Sequence, residues 1–118
     1  MGKFRLVFGV LMCAASMASF AHTRLLASLP EDGAVLDSSP SSVMLTFSAE
    51  VRVIKLTLLD DTGAPIEFEG PGASGPAADV EIALQVLPAG DYSLHWAVMG
   101  KDTHKVSGTL RFKIRPEQ

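Results

Sequence analysis

Tyr92-Ser93-Leu94-His95-Trp96-Ala97-Val98 alternates large apolar side chains with smaller or polar ones. A period of two is that of a strand with one face buried and the other in water. The pattern recurs to either side. Val43, Leu45 and Phe47 share one side of 43–48, and Ile54, Leu56 and Leu58 alternate with Lys55 and Thr57. Val80, Ile82, Leu84 and Val86 alternate with Glu81, Ala83 and Gln85, and Leu110, Phe112 and Ile114 with Arg111 and Lys113. No run keeps a helical period for long. With a first strand near 25–28 and a short one at 65–68, the pattern gives about seven strands. The expected fold is all-β: a seven-stranded Greek-key, immunoglobulin-like sandwich or barrel.

Between these runs lie turn residues. Asp60-Asp61-Thr62-Gly63 is a turn by composition. Residues 70–78, rich in Gly, Pro and Ala, have no apolar anchor and read as a mobile surface loop. No internal repeat is visible.

The chain opens differently. Lys3 and Arg5 precede an apolar run from Leu6 to Phe20, which closes on Ser19-Phe20-Ala21. A basic head, an apolar middle and small residues at a cut site describe a cleavable signal peptide over 1–21. The run is shorter than the roughly 20 residues a spanning helix needs. Cleavage after Ala21 leaves 22–118, which is 97 residues (118 − 21) and one domain. Cys13 leaves with the signal, so the exported domain holds no disulfide and no thiolate. Loss of Lys3 and Arg5 leaves 8 basic against 13 acidic side chains, a net charge of −5 (8 − 13). An acidic domain is a poor ligand for nucleic acid, which needs clustered Lys and Arg.

The chemistry-bearing residues sit at the two ends of this domain. Asp102 and His104 are two apart, and on an extended run they would face the same way. Cleavage makes His22 the first residue, which then offers two nitrogens, its α-amine and its ring Nδ1. A free α-amine titrates near 7.7–8.0, so a metal ion can displace its proton around neutral pH. Adding the His104 imidazole and the Asp102 carboxylate gives a nitrogen- and oxygen-rich set that suits Cu(II). Zinc could use the same ligands but prefers a tetrahedron and binds less tightly. Taken singly, a terminal histidine or a D-x-H is usually polar surface. His95, beside Trp96, should point away from the core and reads as surface. Glu50 and Asp60-Asp61 read as turn acids. No residue is assigned a catalytic or cofactor-binding role.

Several segments in order resemble the CopC family of periplasmic copper-binding proteins: His22, Ser28-Leu29-Pro30-Glu31-Asp32-Gly33, Ser39-Pro40, Leu45-Thr46-Phe47-Ser48, Leu87-Pro88-Ala89-Gly90-Asp91-Tyr92, Trp96, Asp102-Thr103-His104-Lys105 and Ser107-Gly108, ending at Phe112. The resemblance implies a Cu(II) site of His22, Asp102 and His104, a periplasmic location, and hand-off to an inner-membrane copper-transport protein. The chain departs from the family in two places. Many members carry a glutamate directly after the Phe-Ser pair, where this chain has Ala49 and places the acid at Glu50; a bulge would be needed to aim it at the site. Some members carry a methionine-rich Cu(I) loop, whereas Met44 and Met99 are the only methionines after residue 21.

The function expected is a monomeric Cu(II) carrier or buffer, free of the membrane once processed and not an enzyme. Two rivals stand beside it. An amino-terminal histidine brace also occurs in copper enzymes that cleave polysaccharides oxidatively, and a plain sandwich could serve as a metal-free interaction module.

Overall fold

The computed structural model describes residues 22–72 and 75–116; the expected signal peptide lies outside them. Among the described residues all regular structure is β: β1 Leu25–Leu29, β2 Ala34–Leu36, β3 Ser42–Leu59, β4 Pro65–Ile66, β5 Phe68–Glu69, β6 Ala77–Leu84, β7 Gly90–Gly100 and β8 Lys105–Ile114. No helix among the described residues is long and apolar enough to cross a membrane.

The runs expected at 43–48 and 54–58 are one long strand. The first part of β3 pairs with β1 and, over Ser42–Thr46, with β6. Its second part pairs with β7 from Val51 to Leu59 and with β4 at the end. One strand therefore serves two layers, β1-β3-β6-β5 and β2-β8-β7-β3-β4, and turns the corner where its register to β6 shifts between Thr46 and Val51. Strands that switch sheets by a bend close the edge of many sandwiches. The layers bury one core, with Val43, Leu45, Phe47, Val80 and Ile82 from the first facing Leu58, Leu94, Trp96, Val98, Leu110 and Phe112 from the second. Across it, Phe47 meets Trp96 edge-on, ring centroids 5.3 Å apart.

Two residues expected on core faces are outside. Ile54 is 46% exposed, because it is the extra residue at a register shift between Val53 and Lys55, and such an insertion reverses the facing. Val86 is 89% exposed, because β6 ends at Leu84 and Leu87 turns inward instead, its N–H donating to Ser39 Oγ at 2.9 Å. β2 was not foreseen. It is three residues long and pairs in parallel with β8, positioned by the turn before it: Arg111 N–H donates to Asp32 Oδ1 (2.9 Å) and Gly33 N–H to Arg111 O (2.7 Å). The short strand expected at 65–68 divides into β4, paired with β3, and β5, paired with β6, so the described residues form eight strands where about seven were expected.

Candidate metal centre

β7 and β8 form a hairpin whose tip is Lys101-Asp102-Thr103. Gly100 N–H donates to His104 O (3.3 Å), and Thr103 N–H donates to Gly100 O (3.0 Å). This is the three-residue hairpin loop in which a turn is followed by a left-handed residue. Thr103 holds that position with φ 64°, unusual for a β-branched side chain. The D-x-H segment is thus not extended. The turn itself brings the two side chains together: His104 Nδ1 lies 3.1 Å from Asp102 Oδ2, and His104 N–H donates to Asp102 Oδ1 at 3.1 Å. The backbone N–H of His104, followed by the charge its ring can carry, holds the Asp102 carboxyl below its usual range. Asp102 is therefore a carboxylate throughout the neutral range.

His22 reaches this tip from the other end of the domain. Arg24 N–H donates to Ser48 Oγ (3.0 Å) and Ser48 N–H to Arg24 O (2.9 Å), which ties the lead-in of β1 to the corner of β3. Thr23 is buried, at 9% exposure, directly after the exposed His22. It sits against Gly100: a Cβ on that glycine would lie 2.5 Å from Thr23 Oγ1 and 3.3 Å from Asp102 Oδ1. The missing side chain lets the amino-terminal segment close on the hairpin. The rings of His22 and His104 lie 6.3 Å apart between centroids, tilted by 36°. Nitrogen or oxygen donors of His22, Asp102 and His104 all fall within 4.8 Å of one another. Donors bound at ~2 Å to one ion sit at most about 4 Å apart, so the set would need to contract by roughly 1 Å to hold a metal.

The other expectations sort out around this cluster. Glu50 faces Lys101 at 3.9 Å, both exposed, and is not among the clustered donors. His95 is on the outer face, with Nδ1 3.0 Å from Thr109 Oγ1. Asp60 is a turn acid, accepting at Oδ1 from Thr62 N–H (2.9 Å), Thr62 Oγ1 (2.6 Å) and Ala64 N–H (3.0 Å). Sequence reasoning passed over Thr23 and Gly100. The available signal was a glycine closing an alternating strand, which marks a close approach of another part of the chain.

Known proteins share this architecture. "Copper resistance protein C" of Xanthomonas campestris pv. juglandis is 32% identical over 118 aligned residues, covering 90% of this chain and 92% of that protein. The crystal structure of CopC from Methylosinus trichosporium OB3b superposes with a TM-score of 0.70 at 25% identity, over 82% of this chain and 97% of that one. PcoC, described as a methionine-rich copper resistance protein from Escherichia coli, gives 0.64 at 25% identity over 80% and 100%. The CopC domain model matches residues 25–115, and the chain belongs to the CopC family.

Proposed function

We propose that this protein is a periplasmic Cu(II) carrier whose metal site is created by export. The observation that supports it best is the convergence of His22, Asp102 and His104, since these are the ligands the processed chain would offer. Cleavage after Ala21 would add the α-amine of His22 to its ring nitrogen. With the His104 imidazole this makes three nitrogens, and the Asp102 carboxylate supplies an oxygen. A borderline cupric ion favours such a set, and a cuprous ion gains little from it, so reduction or ligand exchange would release the cargo. Asp102 has two roles in this reading. Without metal its contact to Nδ1 holds the imidazole in place, as carboxylates do for metal-binding histidines. With metal it completes the site.

Relatives named for copper resistance support copper as the cargo; an inner-membrane copper-transport protein is the recipient in this reading. With only Met44 and Met99 after residue 21, the chain lacks soft ligands for a separate Cu(I) site. Isothermal titration tests the assignment. Protein purified from the periplasm should take up one tight Cu(II) equivalent. A single Gly placed before His22 should weaken binding by more than roughly tenfold, about 1.4 kcal/mol. Equal affinity in both forms would rule out the amine as a ligand.

A further inference from the structure

The two outer faces of the sandwich carry opposite charge. Partners across a sheet share a face, so register assigns each side chain. On the β3-β7-β8 layer the outward rows are Arg52-Met99-Lys105, Lys55-Ala97-Ser107 and Thr57-His95-Thr109, followed by Leu59-Ser93-Arg111 and, with β2 at the edge, Asp91-Lys113-Val35. Five of the eight Lys and Arg residues after position 21 therefore stand on this one face. Its one acid in those rows, Asp91, is engaged by Arg115 at 2.8 Å. On the β1-β3-β6-β5 layer the outward side chains include Glu69, Asp79 and Glu81 and no Lys or Arg. Asp60 and Asp61 border Arg111 and Lys113 at the end of the face far from the hairpin tip, so the positive charge away from these acids is that of Arg52, Lys55 and Lys105, toward the tip.

That surface is continuous with the metal-binding tip. Lys105 follows His104 directly, and the Arg52-Met99-Lys105 row adjoins the pair Val51-Gly100 at the hairpin base. In the middle of the face is a shallow hollow of about 490 Å³, lined by Lys55, Thr57, His95, Ser107 and Thr109 among others. It offers a cation and hydroxyls to an entering carboxylate. Ile54 at the bulge, Leu59 beside Ser93 and Val35 beside Lys113 are its large aliphatic side chains, and they stand singly among Lys55, Arg111 and Lys113 rather than as the continuous apolar face a protein sinks into a bilayer boundary.

We infer that the β3-β7-β8 outer face docks a carboxylate-rich surface of the protein that receives the copper, and so brings the recipient against His22 and His104. The inference rests on the carrier reading only for the identity of the recipient. Charge of opposite sign steers encounter and fixes orientation more than it adds affinity, which suits a transient transfer complex.

The test uses ¹⁵N-labelled, metal-free protein purified from the periplasm, titrated at about 0.01 M salt with a short polyglutamate peptide and with polyglutamine as control. The expected result is amide shifts at His95, Ser107 and Thr109 with polyglutamate only. Binding should fade by about 0.15 M salt, where charges a few side chains apart are screened. Lys55→Glu combined with Arg111→Glu should weaken peptide binding by at least roughly tenfold while still taking one Cu(II) equivalent. Copper uptake is read separately, so a failure of the carrier reading would not be confused with a failure of the face. Shifts spread over the Asp79–Glu81 side, or undiminished binding by the reversed variant, would overturn the inference. So would binding to phosphatidylglycerol vesicles but not to the peptide, or self-association through the acidic face in place of peptide binding.

Discussion

Thr103 occupies a backbone region that costs a β-branched residue about 1–2 kcal/mol, and it does so between Asp102 and His104, the two proposed ligands. Strain kept beside a binding site is sustained by what surrounds it, here the β7-β8 ladder on both sides. Thr103→Gly should relieve the strain, and after the extra chain entropy of glycine it should raise apo-protein stability by about 0.5–1 kcal/mol in urea unfolding. A loss of stability would mean that the Thr103 hydroxyl bond to Asp102 O outweighs the backbone cost. Gly100 makes the complementary case. Gly100→Ala forces Thr23 to rotate or the amino-terminal segment to lift, so Cu(II) should bind more weakly while the far-ultraviolet dichroism stays that of the parent; unchanged affinity would show that Thr23 does not seat His22. At this level the sequence was half legible. It pointed to the three residues that cluster, because D-x-H and a signal-like segment ending before His22 are local signals. It did not show that a left-handed turn rather than strand alternation makes Asp102 and His104 converge, since a threonine at that position hides the turn that a glycine would announce.

Strands are held by what faces what, and β7 and β8 show how little room is left. Trp96 lies opposite Gly108, and a Cβ there would stand 2.5 Å from Cζ2 and 2.9 Å from Cε2 of the indole, a rigid ring with no flexible end to yield. Gly108→Ala should therefore destabilise the fold by about 1–3 kcal/mol, with a change in the emission of the single tryptophan. Ile54→Thr should change stability by less than about 0.5 kcal/mol, because the bulge already turns Ile54 into water, whereas Leu58→Ala in the core should cost about 2–5 kcal/mol. Equal costs for Ile54 and Leu58 would contradict the bulge. These contrasts mark the limit of reading periodicity. Alternation located β6, β7, β8 and both ends of β3, whereas β1, with its register shift between Leu25 and Ala27, buries no two-residue repeat. It could not register one inserted residue, which leaves composition unchanged and reverses facing. Nor could it find β2, whose three residues carry no period and whose parallel partner β8 lies far along the chain.

The sandwich holds two depressed carboxyls at opposite ends, Asp60 in the turn between β3 and β4 and Asp102 at the tip of β7 and β8. Asp60 is lowered chiefly by the Thr62 hydroxyl and Asp102 chiefly by the His104 N–H. A carboxyl with a lower pKa in the folded state contributes stability above its unfolded value, about 3.9, and loses it as pH falls through the folded value. Apo-protein stability should accordingly fall in acid below about pH 4, and Asp60→Asn should flatten that fall without touching the metal site. Copper adds a second dependence with a different midpoint. An ion that binds only the folded state stabilises it by about 2.7 kcal/mol at a hundredfold excess over Kd. The proposed amine and imidazole ligands must shed protons to bind, so this increment should vanish well before the carboxyls titrate. Thermal melts with and without Cu(II), taken from neutrality down to about pH 4, separate the two effects. The copper increment should be the same in Asp60→Asn as in the parent and should be lost in the more acidic melts of both. A copper increment that persisted wherever the carboxyls stay ionised would point to an oxygen-only site and away from the His22 amine.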